Sequence, residues 1–392
     1  MAHSKKNVAR RTFFKTLAAG GMGTAFLPHI AAESASGVQE PEGKPKTNIE
    51  DSRKYPRNEW SMPGRYPGEV VRINHEHCIK ENAPDPEVVY KMVHDGMLAL
   101  TGQKNIKKAW REFVSPKDRI GLKINPVAGK SLSTSPEIVQ VVIDQLIESG
   151  IPKSNLLIWD RREFQMHETG FTSEHFPDIK IIGTEQKDEN GSFYNQDGML
   201  YGEEMIDKDW YYWADVEGEY DEYTMPMMVN GGTYSYFSKI CTQMVDKIIN
   251  IPILKNAGPT VTLCLKNLAY GTVSNTGRLH KNLWAETTAE VNAFPPLRDK
   301  VVLNIVDGMK GCYNGGPGAN PQFFVNYNTM LFGTDPVAVD RVGHDIVVKM
   351  RIEKGLVKED NARARTFLDL AAKLELGEAD LEKINLKEVN LG

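Results

Sequence analysis

Three lysines sit inside apolar runs of this 392-residue chain, where a charge is costly unless it meets a partner. Lys123 follows Ile120-Gly121-Leu122, Lys255 follows Ile251-Pro252-Ile253-Leu254, and Lys266 follows Val261-Thr262-Leu263-Cys264-Leu265. Each has an asparagine one or two residues on: Asn125, Asn256 and Asn267. Asp160 and Asp307 close the strand-like runs that begin at Leu156 and Val301, and Asp335 opens a later helix. Lysines can hold a carboxylate or phosphate while a carboxyl group moves protons. The candidate catalytic residues are therefore Lys123, Lys255, Lys266 and Asp307. Asn125, Asp160, Asn267 and Asp335 are the candidate ligand-binding residues. Structural salt bridges would explain the same pattern nearly as well.

Other chemistries find less support. Asn125-Pro126-Val127-Ala128-Gly129-Lys130-Ser131 imitates the end of a phosphate-binding loop, but Ile124 stands where the first glycine belongs. Asn314-Gly315-Gly316-Pro317-Gly318 lacks the dinucleotide-binding spacing and reads as a tight turn. His75 and His77 would share a side of an extended segment, but two histidines make a weak metal site, and a half-buried edge strand is the simpler reading. His280 and His344 are isolated. No residue is assigned to a metal, and the cofactor is left unassigned.

The elements that must position the candidates follow from periodicity. Gly68 to Ile73 has a strand pattern, and Pro86 to Leu100 places apolar residues at helical spacing. Asp118 to Asn125 is a strand leaving into a loop. Ser135-Pro136 starts a helix that stops at Gly150, with Ser135 as the cap. Leu156 to Asp160 is the next strand, so this stretch makes a right-handed βαβ unit. Lys247 to Pro252, Val301 to Asp307 and Met330 to Phe332 are further strands; Thr260 to Leu268 and the segment from Asp335 are helices. The fold class is α/β, a mostly parallel sheet built from βαβ units with helices on both faces. Ligands bind beyond the carboxyl ends of such strands, where Asn125, Asp160, Lys255 and Asp307 fall.

Residues 35–67 read as an extended polar linker, and 68–392 as the α/β domain. About 184–244 is an insertion. Between Tyr201 and Tyr223 it holds nine acids against Lys208, around Trp210-Tyr211-Tyr212-Trp213. This is a solvated loop pinned by its aromatics, or a flap that captures a cation or sugar.

Residues 1–34 read as an export signal. Arg10-Arg11-Thr12-Phe13-Phe14-Lys15 precedes a short apolar run from Leu17 to Leu27, and small residues follow. Arg10 and Arg11 would engage a twin-arginine translocase, placing the folded protein in the periplasm or outside the cell. That run is shorter than the roughly 20 residues a span requires, so no stable membrane insertion is expected. Loss of the leader takes the formal charge from −5 to about −9, which disfavours nucleic acid as a partner. The four cysteines are scattered without a CxxC and read as buried thiols.

Several segments recur in a known order: Ile120 to Asn125, Thr134 to Val139, Asn250 to Lys255, Leu263 to Leu268, Ile305 to Gly308 and Gly333 to Asp340. Over about Val70 to Met350 the chain resembles the domain of unknown function 362 family. Some members of that family carry ferredoxin-like iron–sulfur domains, which implies an accessory redox or metal-cofactor role as one alternative. The cluster cysteines have no counterpart here, and Asn256-Ala257 stands where the family often has Thr-His. The residues themselves point to binding or transformation of a small anionic ligand. A non-catalytic cation- or sugar-binding protein is the other alternative, and whether the chain is an enzyme stays open.

Overall fold

Strand residues alternate between two apolar layers, and this alternation explains the architecture. In the computed structural model, which describes residues 43–217 and 232–392, eleven strands form one sheet. Arg10, Arg11 and the apolar run lie outside the described residues, as do residues 218–223 of the acidic segment. The strands in chain order are β1 (Glu69–Asn74), β2 (Ile79–Lys80), β3 (Ala83–Pro84), β4 (Ile120–Lys123), β5 (Leu156–Arg162) and β6 (Lys180–Glu185). Next come β7 (Ile206–Trp213), β8 (Tyr234–Ser238), β9 (Lys247–Asn250), β10 (Ile253–Ala257) and β11 (Thr260–Thr262). The last are β12 (Val301–Cys312), β13 (Phe324–Val325), β14 (Thr329–Gly333) and β15 (Asn385–Asn390).

The main path runs β15-β1-β14-β12-β9-β4-β5-β6, with β10 and β13 beside β12 and β11 paired to β10. The run β12-β9-β4-β5-β6 is parallel throughout, and β14 is antiparallel to both its neighbours. Ile120, Leu122, Ile158 and Ile305 face one layer, with the helices Pro86–Thr101 and Pro136–Glu148. Leu157, Trp159, Ile248 and Val306 face the other, with Cys264–Thr272, Trp284–Glu290 and Pro336–Glu353. The sheet is thus mostly parallel and covered on both faces, an α/β fold. The unit β4, Pro136–Glu148, β5 ends in two parallel, adjacent strands. All four cysteines are buried free thiols.

Several elements differ from expectation. β12 does not stop at Asp307 but continues to Cys312, because β10 takes over as its parallel partner where β9 ends. Lys255 consequently sits inside β10 rather than past a strand end. Thr260–Thr262 is a strand, paired back on β10, and the helix begins only at Cys264. The β-branched Thr260, Val261 and Thr262 favour this extended pairing. Ser135 precedes the helix from Pro136, but its hydroxyl makes no cap and donates to Asp307 instead. His75 and His77 lie in a turn beyond β1, not in a strand.

Residues 45–67 belong to the same compact unit as the rest of the domain, which runs from Pro45 to Gly392. The short helix Ile49–Ser52 and the buried Met62 anchor them, with Arg298 donating to the carbonyls of Ser52 and Pro56. An extended linker is therefore not what this segment forms. In the insertion, β7 and β8 make an antiparallel hairpin. Tyr212 is buried and donates to Glu290 at 2.8 Å, while Asp209, Asp215 and Glu217 face solvent.

Candidate functional site: a lysine-lined cavity at the strand ends

The sheet leaves a cavity of about 150 Å³ where β4 and β5 end against β10 and the helix Cys264–Thr272. Asn125, Asp160, Lys255, Lys266 and Asn267 line it, together with Arg161, Arg162 and His280. Lys123 lies directly behind this wall.

Alternation along β4 turns Lys123 toward the helix Cys264–Thr272, where its ammonium is fully buried. It pairs with Asp160 and donates to Asn267 Oδ1 at 3.1 Å and to the Ile124 carbonyl at 2.9 Å. Burial pulls the Lys123 ammonium below its ordinary value, and Asp160 opposes that pull. Gly271 makes room for the pair: a Cβ there would lie 2.5 Å from Lys123 Nζ.

Asn125 follows β4 and is held through its backbone, whose N–H donates to Thr134 Oγ1 at 2.9 Å. Its Nδ2 donates to Asn267 Oδ1 at 3.0 Å, Asn267 Nδ2 to Asn250 Oδ1 at 2.8 Å, and Asn250 Nδ2 to Asn304 Oδ1 at 2.9 Å. Four asparagines from four elements thus form one chain with a single donor direction. Every buried amide in it is satisfied, the condition under which a buried polar network confers rigidity.

Lys255 is fully buried and donates to Asn125 Oδ1 at 3.0 Å. Among the described residues it has no ion pair. Burial, and secondarily the nearby Lys266 charge, pulls its ammonium down to about 7. Lys266 is part-buried, stands 5.7 Å from the Tyr270 ring centre, and is pulled down to about 8 by burial. It has no carboxylate partner among the described residues either. His280 Nδ1 donates to the Thr276 carbonyl at 3.0 Å, and the ring is held down to about 4 by burial, then by the Lys266 charge.

Asp307 and Asp335 lie elsewhere. Asp307 accepts from the Ser135 backbone at 2.9 Å and the Ser135 hydroxyl at 2.8 Å, tying β12 to the start of the helix from Pro136. Burial pushes its carboxyl up to about 6. Asp335 accepts four backbone N–H groups, from Val337, Ala338, Gly68 and Glu378. Asp340, five residues on, accepts from the N–H groups of Cys264 and Leu265, so it caps the helix that carries Lys266 and Asn267. The run from Gly333 to Asp340 therefore positions the site without lining it.

Sequence reading missed Arg161 and Arg162, because β5 extends two residues past Asp160. Glu185 on the neighbouring β6 binds both guanidinium groups, and Arg161 also donates to Thr276. It also missed Asn250 and Asn304, although an amide inside Val301-Val302-Leu303-Asn304-Ile305 was a readable signal. Among the described residues, no cavity-lining residue comes from the insertion.

Residues 204–345 match the family model described as Domain of unknown function (DUF362). Over that stretch the chain is similar to the DUF362 family. The match is shorter than the stretch from Val70 to Met350 over which the resemblance was read. It holds Lys255, Lys266, Asn267 and the Asp340 cap, whereas Lys123, Asn125 and Asp160 precede it. No curated protein matches the chain.

Proposed function

We propose that the cavity beside the helix Cys264–Thr272 binds a small anionic ligand, a carboxylate or phosphate, and that the protein binds or transforms it there. The observation that carries this reading is the charge balance of the lining. Among the described residues Lys255 and Lys266 meet no carboxylate, Arg161 and Arg162 share the one carboxylate of Glu185, and Asp160 is already engaged by Lys123. An anion entering such a site replaces the water lost by the buried Lys255 and the part-buried Lys266 and meets preformed donors. Calorimetric titration with phosphate and with short carboxylates tests it, comparing the native chain with the Lys255→Met, Lys266→Met double variant. Micromolar-to-millimolar binding lost in a folded double variant supports the site; unchanged binding overturns it.

We further propose that this takes place outside the cytoplasm. The support is the motif Arg10-Arg11 followed by Phe13, Lys15 and a weakly apolar run. Changing both arginines to lysine should leave the protein in the cytoplasmic fraction; continued export would remove the translocase from the account.

A further inference from the structure

The two fully buried lysines on neighbouring parts of the sheet are treated differently. Lys123 is neutralised by Asp160, with Asn267 and the Ile124 carbonyl completing its shell. Lys255 receives one neutral acceptor, Asn125 Oδ1, and opens on the cavity beside another cation. A buried amine without a counter-ion, next to a like charge, is the arrangement that makes lysine a nucleophile.

Resting on the anion reading, we propose that Lys255 forms an imine with a small 2-oxo acid, whose carboxylate is held by Lys266. The lone pair of neutral Nζ forms a C–N bond to the carbonyl carbon, and the oxygen gains a proton to give a carbinolamine. A second proton, taken up from solvent, lets the nitrogen lone pair expel that oxygen as water, leaving a C=N⁺ iminium. One proton is consumed and one water released, and no oxidant or reductant is needed. Asp160 lies on the cavity wall, paired with Lys123, and is the carboxylate placed to pass the proton between nitrogen and departing oxygen. With the Lys255 value lowered to about 7, a substantial share of the amine is neutral near pH 7. The cavity, about 150 Å³, suits an acid of a few carbons.

The test is reductive trapping on the native full chain. Protein is incubated with pyruvate or glyoxylate and borohydride, and the adduct is mapped by peptide mass spectrometry. Binding of pyruvate and of lactate, which has the same charge but no carbonyl, is measured in parallel by calorimetry. A stoichiometric adduct confined to Lys255, suppressed at least tenfold by excess lactate, is the expected result. Adducts scattered over surface lysines without enrichment at Lys255 overturn the proposal. If both acids bind and nothing is trapped at Lys255, the imine fails while the anion site stands. If neither acid binds and no adduct forms, both fail for this ligand class.

Discussion

Lys255 Nζ donates to Asn125 Oδ1 at 3.0 Å, across 130 residues of sequence, and this bond joins the cavity amine to the buried asparagine chain. Asn125 spends its other half on Asn267, so an orientation set by Asn250 and Asn304 deep in the sheet reaches the cavity wall. The amide cannot turn over without breaking two bonds at once, which holds the lysine in place.

That amine and its neighbour make anion binding depend on pH. Lys255 and Lys266 titrate near 7 and 8 when folded, well below 10.5 when unfolded. Because both folded values are depressed, their contribution to stability is fully present above the unfolded value and is lost as pH falls through the folded ones. A bound anion favours the charged forms and should reverse that loss. Affinity should fall as pH rises from 7 to 9, approaching about tenfold per unit for each lysine that must be protonated. Calorimetry in buffers of different ionisation heat should show proton uptake on binding. Lys266→Met should flatten the profile.

Buried ion pairs punish the loss of one partner more than the loss of both. Lys123→Met should leave the Asp160 carboxylate buried without its ammonium and cost about 3–5 kcal/mol. The double change Lys123→Met, Asp160→Asn should recover a large part of that. Urea unfolding of the singles and the double forms a cycle, and strict additivity would show that the pair does not act as a unit.

Asp307 offers a separate handle on pH. Its carboxyl is raised to about 6 when folded, from 3.8. For a raised value the contribution to stability is fully present below the unfolded value and is lost as pH rises through the folded one. The native chain should therefore lose stability relative to Asp307→Asn between about pH 4 and pH 6. Denaturant midpoints of both proteins across that window check the sign; a constant difference would mean Asp307 titrates normally.

Gly271 is the narrowest point behind the site. Its added Cβ would lie 2.5 Å from Lys123 Nζ, 2.7 Å from Lys123 Cε and 3.3 Å from Asp160 Oδ1. Gly271→Ala should destabilise by about 1–3 kcal/mol, despite the better helix propensity of alanine. Thermal unfolding reads the loss. A higher midpoint would show that the Lys123–Asp160 pair yields at no cost.

Local pattern determined a good deal about this protein. The apolar alternation of Ile120 to Lys123 and of Leu156 to Asp160, with an amphipathic helix between, specified parallel strands and the side each residue faces. It also placed Lys123, Asn125, Asp160, Lys255, Lys266 and Asn267 among the residues worth testing, and these meet in space. Tertiary structure alone decided the rest. Whether Asp307 faces the cavity depends on which strand pairs with the second half of β12, and that partner, β10, is recruited from 50 residues away. Asp335 looks like a ligand group in one dimension, but N–H groups of its own helix and of the distant Gly68 and Glu378 consume its oxygens. The division between Lys123, neutralised, and Lys255, left unpaired, has the same origin. Both are lysines in apolar runs; only packing settles which of them stands within reach of Asp160, because a charge interaction depends on distance in space and not on separation along the chain.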